Sequence, residues 1–148
     1  MSAMRCRNCE RKGFYENRKA DTGYGKESVM TRAKFRRRTF EFGIRYIRLA
    51  ESLRKTTVAQ IIAKQLVRAA TSVGANYRAA IRSRSRADFV AKMGIVEEEC
   101  DETGYWIEVL VELGLLPKKR TSALQEEANE ILAVTVSSIK TARKRQQI

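Results

Sequence analysis

The chain has 148 residues, with 30 Lys and Arg against 17 Asp and Glu, a formal charge of +13, a pI near 10.1 and no histidine. One domain with a sizeable core fits that length and two do not, and the charge makes a polyanion the first partner to consider. The missing histidine excludes Ser-His-Asp and Cys-His catalysis, His-ligated zinc or haem, and the usual neutral-pH proton shuttle.

One proline and eight glycines argue against a loop-rich or all-β chain, while 43% apolar and 32% charged residues suit a packed interior under a charged surface. No apolar run approaches the roughly 18 to 20 residues that cross a bilayer, and the N-terminus lacks the apolar core of a signal peptide. A cytoplasmic protein without membrane contact is expected.

Residues 1–38 hold 12 Lys or Arg and four acids, a net of +8, with Gly13, Gly23 and Gly25 and no helical period. They read as a basic, flexible N-terminal arm, and residues 39–148 as the folded body. Met30 stands just ahead of that body as a second candidate start. Cys6 and Cys9 have half the spacing of a zinc knuckle, but no second pair and no histidine complete four ligands, so no metal is expected.

The first helix is predicted over residues 39–53, where Phe40, Ile44, Ile47 and Phe42, Tyr46, Leu49, Leu53 form adjoining apolar rows. The second, over 57–82, carries Ile62, Leu66, Ala69, Val73, Tyr77 and Ala80 on one side. Ala70, Gly74 and Ala75 beside them allow a neighbouring helix to come close. The third starts at Arg86 with Ser85 as N-cap and runs along Phe89, Met93, Val96, Cys100, Thr103, Ile107 and Leu110 until Gly114 and Pro117 stop it. The fourth, over 122–145, repeats the pattern with Leu124, Ala128, Ile131, Thr135, Ile139 and Ala142, and with Ser122 and Gln125 as a capping box. Connections of a few residues make successive helices antiparallel, so the predicted fold is an all-α, up-down-up-down four-helix bundle behind a basic arm.

Arg78, Arg82, Arg84 and Arg86 surround the turn between the second and third helices, with no acid from residue 77 to 87. Their guanidinium forks match phosphate oxygens, and such contacts release counterions; the plainer reading is a well-solvated turn. Lys140, Arg143, Lys144 and Arg145 end the fourth helix, where cations also answer the negative end of the helix dipole. In this topology both clusters fall at the end where the first helix begins, beside Arg36, Arg37 and Arg38. That end is expected to hold most of the excess charge.

The third helix supplies the opposite sign through Glu97, Glu98, Glu99, Asp101, Glu102, Glu108 and Glu112. A di-iron site would need inward Glu-x-x-His pairs, which the chain cannot supply, so ion pairing is expected instead, with Glu98 and Glu102 meeting Arg68 or a base of an adjacent subunit. Asn76 and Tyr77 read as structural, satisfying local hydrogen bonds and fixing helix register. Trp106, beside Tyr105, reads as core or interface rather than as a base-stacking platform.

The segments QLVRAATSVGANYRAA (65–80) and DFVAKMGIVEEECDETGYWIE (88–108) resemble the intervening-sequence four-helix-bundle family, whose members are encoded in insertions within large-subunit ribosomal RNA genes. The accessory variability determinant of diversity-generating retroelements is similar. The resemblance spans residues 35–145 and implies an antiparallel bundle that forms a ring-like homopentamer, basic and without known catalysis. For the retroelement branch it implies a reverse transcriptase and nucleic acid as partners. Two positions depart from the pattern: Ala79, where relatives carry a glutamate, and Gly104, which suggests a close helix crossing.

The expectation is a non-catalytic basic homo-oligomer without cofactor, binding RNA or DNA and assisting a reverse transcriptase or ribonucleoprotein. The alternative is a structural protein-protein scaffold with no nucleic-acid role.

Overall fold

The computed structural model describes residues 30–144, and these form four helices: α1 (Arg32–Glu51), α2 (Thr57–Ala80), α3 (Arg86–Glu112) and α4 (Lys118–Lys144). Three begin at a hydroxyl that accepts from a first-turn amide. Thr31 accepts from Lys34 N at 3.2 Å, Thr56 from Ala59 N at 3.3 Å and Ser85 from Asp88 N at 3.0 Å. α3 stops in a Schellman motif: Gly114 takes φ 65, its amide donates to Val111 O at 2.9 Å, and Leu115 N donates to Leu110 O at 2.9 Å.

Two predicted starts need correction. α1 begins at Arg32, seven residues before the expected Thr39, because the stripe of buried Phe42, Tyr46 and Leu49 continues back through Thr39 and Phe35. Residues 32–38 therefore belong to the bundle rather than to the arm; residues 1–29, with Cys6 and Cys9, lie outside the described residues. α4 begins at Lys118 rather than Ser122, since Pro117 supplies the carbonyl that accepts from Arg120 N at 2.9 Å. Ser122 is inside the helix and its hydroxyl bonds back to Lys119 O at 3.4 Å. α2 ends at Ala80, two residues short of the expected Arg82.

The chain is an all-α four-helix bundle, with α1 on α2, α2 on α3 and α3 on α4. α1 and α2 approach most tightly at glycine. A Cβ on Gly74 would stand 3.1 Å from Thr39 O, and one on Gly43 would stand 3.4 Å from Ala70 O. The core between the helices holds Phe42, Tyr46, Leu66, Val73, Met93, Val96, Ile107, Leu110 and Ile131. Each buried threonine satisfies its own helix: Thr39 donates to Arg36 O, Thr103 to Glu99 O, Thr121 to Lys118 O and Thr135 to Ile131 O. α4 closes the bundle against α1 through Tyr46, whose hydroxyl donates to Leu124 O at 3.1 Å, and is tied to α3 by Cys100 Sγ, which donates to Ala128 O at 3.3 Å.

Candidate nucleic-acid interface

The antiparallel register decides which charges meet. From the Gly43 and Ala70 contact, α1 runs back about 16 Å to Arg32 and α2 runs on about 15 Å to Ala80, so the two helices finish level. From the Cys100 and Ala128 contact, α3 runs back about 21 Å to Arg86 and α4 runs on about 24 Å to Lys144. The start of α1, the α2–α3 turn and the end of α4 thus share one end of the bundle.

Arg78, Arg82 and Arg84 are exposed there and Arg86 is half-buried. Arg82 Nε donates to Arg78 O at 3.2 Å, folding its guanidinium back along the last turn of α2. The Arg84 amide donates to Asp88 Oδ2 at 3.2 Å, and Lys92 donates to the same carboxylate. The Lys92 ammonium and the Arg84 amide hold Asp88 below the ordinary carboxylate range, so the acid at this end stays charged and engaged. Lys140, Arg143 and Lys144 are exposed; Arg145 lies outside the described residues. Among the described residues, Arg78, Arg82, Arg84, Lys140, Arg143 and Lys144 make no ion pair.

The three arginines at the start of α1 separate in role. Arg36 is exposed. Arg37 pairs with Glu41 and lies 5.7 Å from the centre of the Phe40 ring. Arg38 faces α4, donating from Nε to Glu127 at 2.7 Å and from Nη2 to Glu127 at 3.0 Å and to Glu130. This pairing holds the Glu127 carboxyl below its ordinary range despite partial burial. The partners are 89 and 92 residues apart in sequence, so no local pattern signals them.

Arg68 and Trp106 are the two ends of one hydrogen-bonded chain. Arg68 Nη1 donates to both Glu99 oxygens at 3.2 and 3.3 Å and its Nη2 to Glu102, while Trp106 Nε1 donates to the same Glu102 oxygen at 3.0 Å. The expected pairing is corrected at one position: Glu99 takes the place of Glu98, which faces solvent. Asn76 Nδ2 donates to Ser72 O at 2.9 Å, and Tyr77 stands edge-on to Phe35 with ring centres 4.8 Å apart. Gly104 marks no close crossing, because nothing lies within 4 Å of a Cβ built there.

The remaining chemistry is sparse. Burial pushes the Cys100 thiol up to about 12, so it stays protonated at neutral pH and is a poor nucleophile. Among the described residues no group of Cys, Asp and Glu is arranged to hold a metal ion, and no helix is long and apolar enough to cross a membrane. A feature missed from sequence stands at the opposite end, where Arg54 and Lys55 in one connection and Lys118, Lys119 and Arg120 after the other are all exposed.

The model of a family described as 23S rRNA-intervening sequence protein matches residues 31–137. No curated protein matches the chain. A crystal structure of a protein of unknown function from the S23 ribosomal protein family of Bacteroides thetaiotaomicron is 32% identical, with a TM-score of 0.70, over 75% of this chain and 99% of that one.

Proposed function

The chain belongs to the 23S rRNA-intervening sequence protein family, and we propose that it acts without catalysis, as a self-associating basic bundle that grips nucleic acid at the end formed by the α2–α3 turn. One observation carries this reading: six exposed cations, Arg78, Arg82, Arg84, Lys140, Arg143 and Lys144, stand together without ion-pair partners among the described residues. Guanidinium and ammonium groups left unpaired in this way attract phosphate, and each phosphate neutralised releases a condensed counterion. The likeness to the retroelement accessory proteins extends the reading to a reverse transcriptase or another ribonucleoprotein as the protein partner, in the cytoplasm. Self-association into the family's ring is supported by apolar side chains left outside the core, Phe40 at 49%, Ile61 at 58% and Tyr105 at 56% exposure.

Those same side chains favour the second reading, a protein-protein scaffold whose charge serves solubility alone. Fluorescence anisotropy with labelled RNA and duplex DNA across a salt series separates the two. Under the first reading, Arg78→Gln, Arg82→Gln and Arg84→Gln together flatten the slope of log affinity against log salt by about 2 to 3 for a duplex, at about 0.9 for each phosphate no longer neutralised, and leave the oligomer intact. A nuclease-treated parent chain that binds neither polymer near physiological salt sinks it.

A further inference from the structure

We propose that the far end of the bundle is a second polyanion contact, so that one subunit bridges two nucleic-acid segments instead of holding one. This rests on the reading that the α2–α3 end binds nucleic acid. Arg54 and Lys55 lie in the α1–α2 connection, between buried Leu53 and the helix-capping Thr56, which fix the backbone on both sides. Lys118, Lys119 and Arg120 form the first turn of α4, just after buried Leu116. Arg120 Nη2 donates to Ser52 Oγ at 3.0 Å, a bond across 68 residues that draws the two connections together. Five exposed cations therefore share one end with two exposed acids, Glu51 and Glu112, and none of the five forms an ion pair among the described residues.

The placement is electrostatically unfavourable for the protein alone. Cations at a helix start face the positive end of the dipole, and α4 has no acid in its first turn to offset them. Phosphate relieves both the mutual repulsion and the dipole.

The two ends are about 40 Å apart, the length of the 27-residue helices α3 and α4. The surface between them is not a continuous basic path. α3 carries Glu97, Glu98, Asp101 and Glu108 along it, and α4 carries Glu126 and Glu130. On α1 the intervening stretch sets Phe40, Ile44 and Ile47 beside Glu41, Arg45 and Arg48, and on α2 it holds only Lys64 and Arg68, the latter already paired with Glu99 and Glu102. A polyanion held at one end gains little by extending toward the other, so each end takes its own segment.

The test uses the full chain and duplexes of about eight base pairs, roughly 27 Å and too short to span the ends, in separate donor-labelled and acceptor-labelled batches. The parent should bind two duplexes per subunit and produce energy transfer between them. The variant Arg54→Gln, Lys55→Gln, Lys118→Gln, Lys119→Gln keeps Arg120 on Ser52, and should bind one duplex per subunit, with transfer reduced to what neighbouring subunits of the oligomer exchange. Its melting temperature, unchanged or raised by removing cations from the helix start, guards against misfolding. Two duplexes per subunit with undiminished transfer in the variant overturns the second contact while leaving the α2–α3 end standing. One duplex per subunit in the parent does the same, and no duplex bound by the parent removes both readings.

Discussion

Gly74 and Gly104 are both helical glycines, yet the bundle treats them oppositely, and replacing each by alanine should move stability in opposite directions. Alanine gains about 0.8–1.0 kcal/mol over glycine in a helix interior. At Gly104 a new Cβ meets nothing within 4 Å, so the Gly104→Ala variant should keep nearly all of that gain. At Gly74 the Cβ would stand 3.1 Å from Thr39 O and 3.3 Å from Thr39 C, which are backbone atoms of α1 and cannot rotate away. α1 is also held by Gly43, whose own added Cβ would lie 3.4 Å from Ala70 O and Thr71 Cα, so the helix has little room to shift. Overpacking of this kind costs about 1–3 kcal/mol, and after the propensity gain the Gly74→Ala variant should be destabilised by about 1 kcal/mol. The two variants then differ by about 2 kcal/mol, or about 6–10 °C in melting temperature for a domain of this size. Urea titration with thermal melts measures both. Shifts of the same sign would refute the assignment of α1–α2 as the tight seam and Gly104 as open.

Two further outcomes follow from the carboxylates. Glu127 is held below its ordinary 4.5 by Arg38, so the unfolded chain takes up its proton first; the stabilisation is present above about pH 4.5 and is lost as pH falls through the folded value. Glu127→Gln should therefore lower the urea midpoint at pH 7 and make its decline between pH 5 and about 3 shallower, and parallel curves for variant and parent would contradict the pairing. Trp106, the lone tryptophan, donates to Glu102, whose carboxyl Arg68 holds below its ordinary range. Its fluorescence should change with acid at a pH below the usual carboxylate value, and Arg68→Met should move that transition upward; a transition indifferent to Arg68 would break the chain of bonds.

What is legible in the sequence is mostly what repeats along one helix. The rows from Met93 to Leu110 and from Leu124 to Ile139 announce their buried faces, and Ser85 announces a cap, because each signal is local. The first seven residues of α1 are harder to see, since Arg36, Arg37 and Arg38 interrupt the apolar spacing from Phe35 to Thr39, although those side chains point away from the stripe that Phe35 and Thr39 keep. Ser122 has the residue type of a cap, but Pro117 has already set the turn. The choice of Glu99 over Glu98 turns on one step of helical rotation, about 100°, which only the placement of α2 resolves. The far-end cations are hidden for a related reason: Arg54 and Lys55 join Lys118 to Arg120 only through folding, across the bond from Arg120 to Ser52.

The seam between α1 and α4 is built differently from the other three. Sequence neighbours pack along their backbones, whereas α4 meets α1 through long side chains, the Tyr46 hydroxyl on Leu124 and the Arg38 fork on Glu127 and Glu130. It also closes the longest loops, of 78, 89 and 92 residues, against a closure entropy that the short helical hairpins scarcely meet. The bundle thus resembles a strip rolled from α1 through α3, with α4 as its free edge. When such a strip breathes, that edge lifts first, at a lower free energy than global unfolding. Lifting it bares Tyr46 and frees the Arg38 guanidinium close to the basic end, while α4 carries Lys140, Arg143 and Lys144 away with it, so opening redistributes the cations of that end between two separated surfaces.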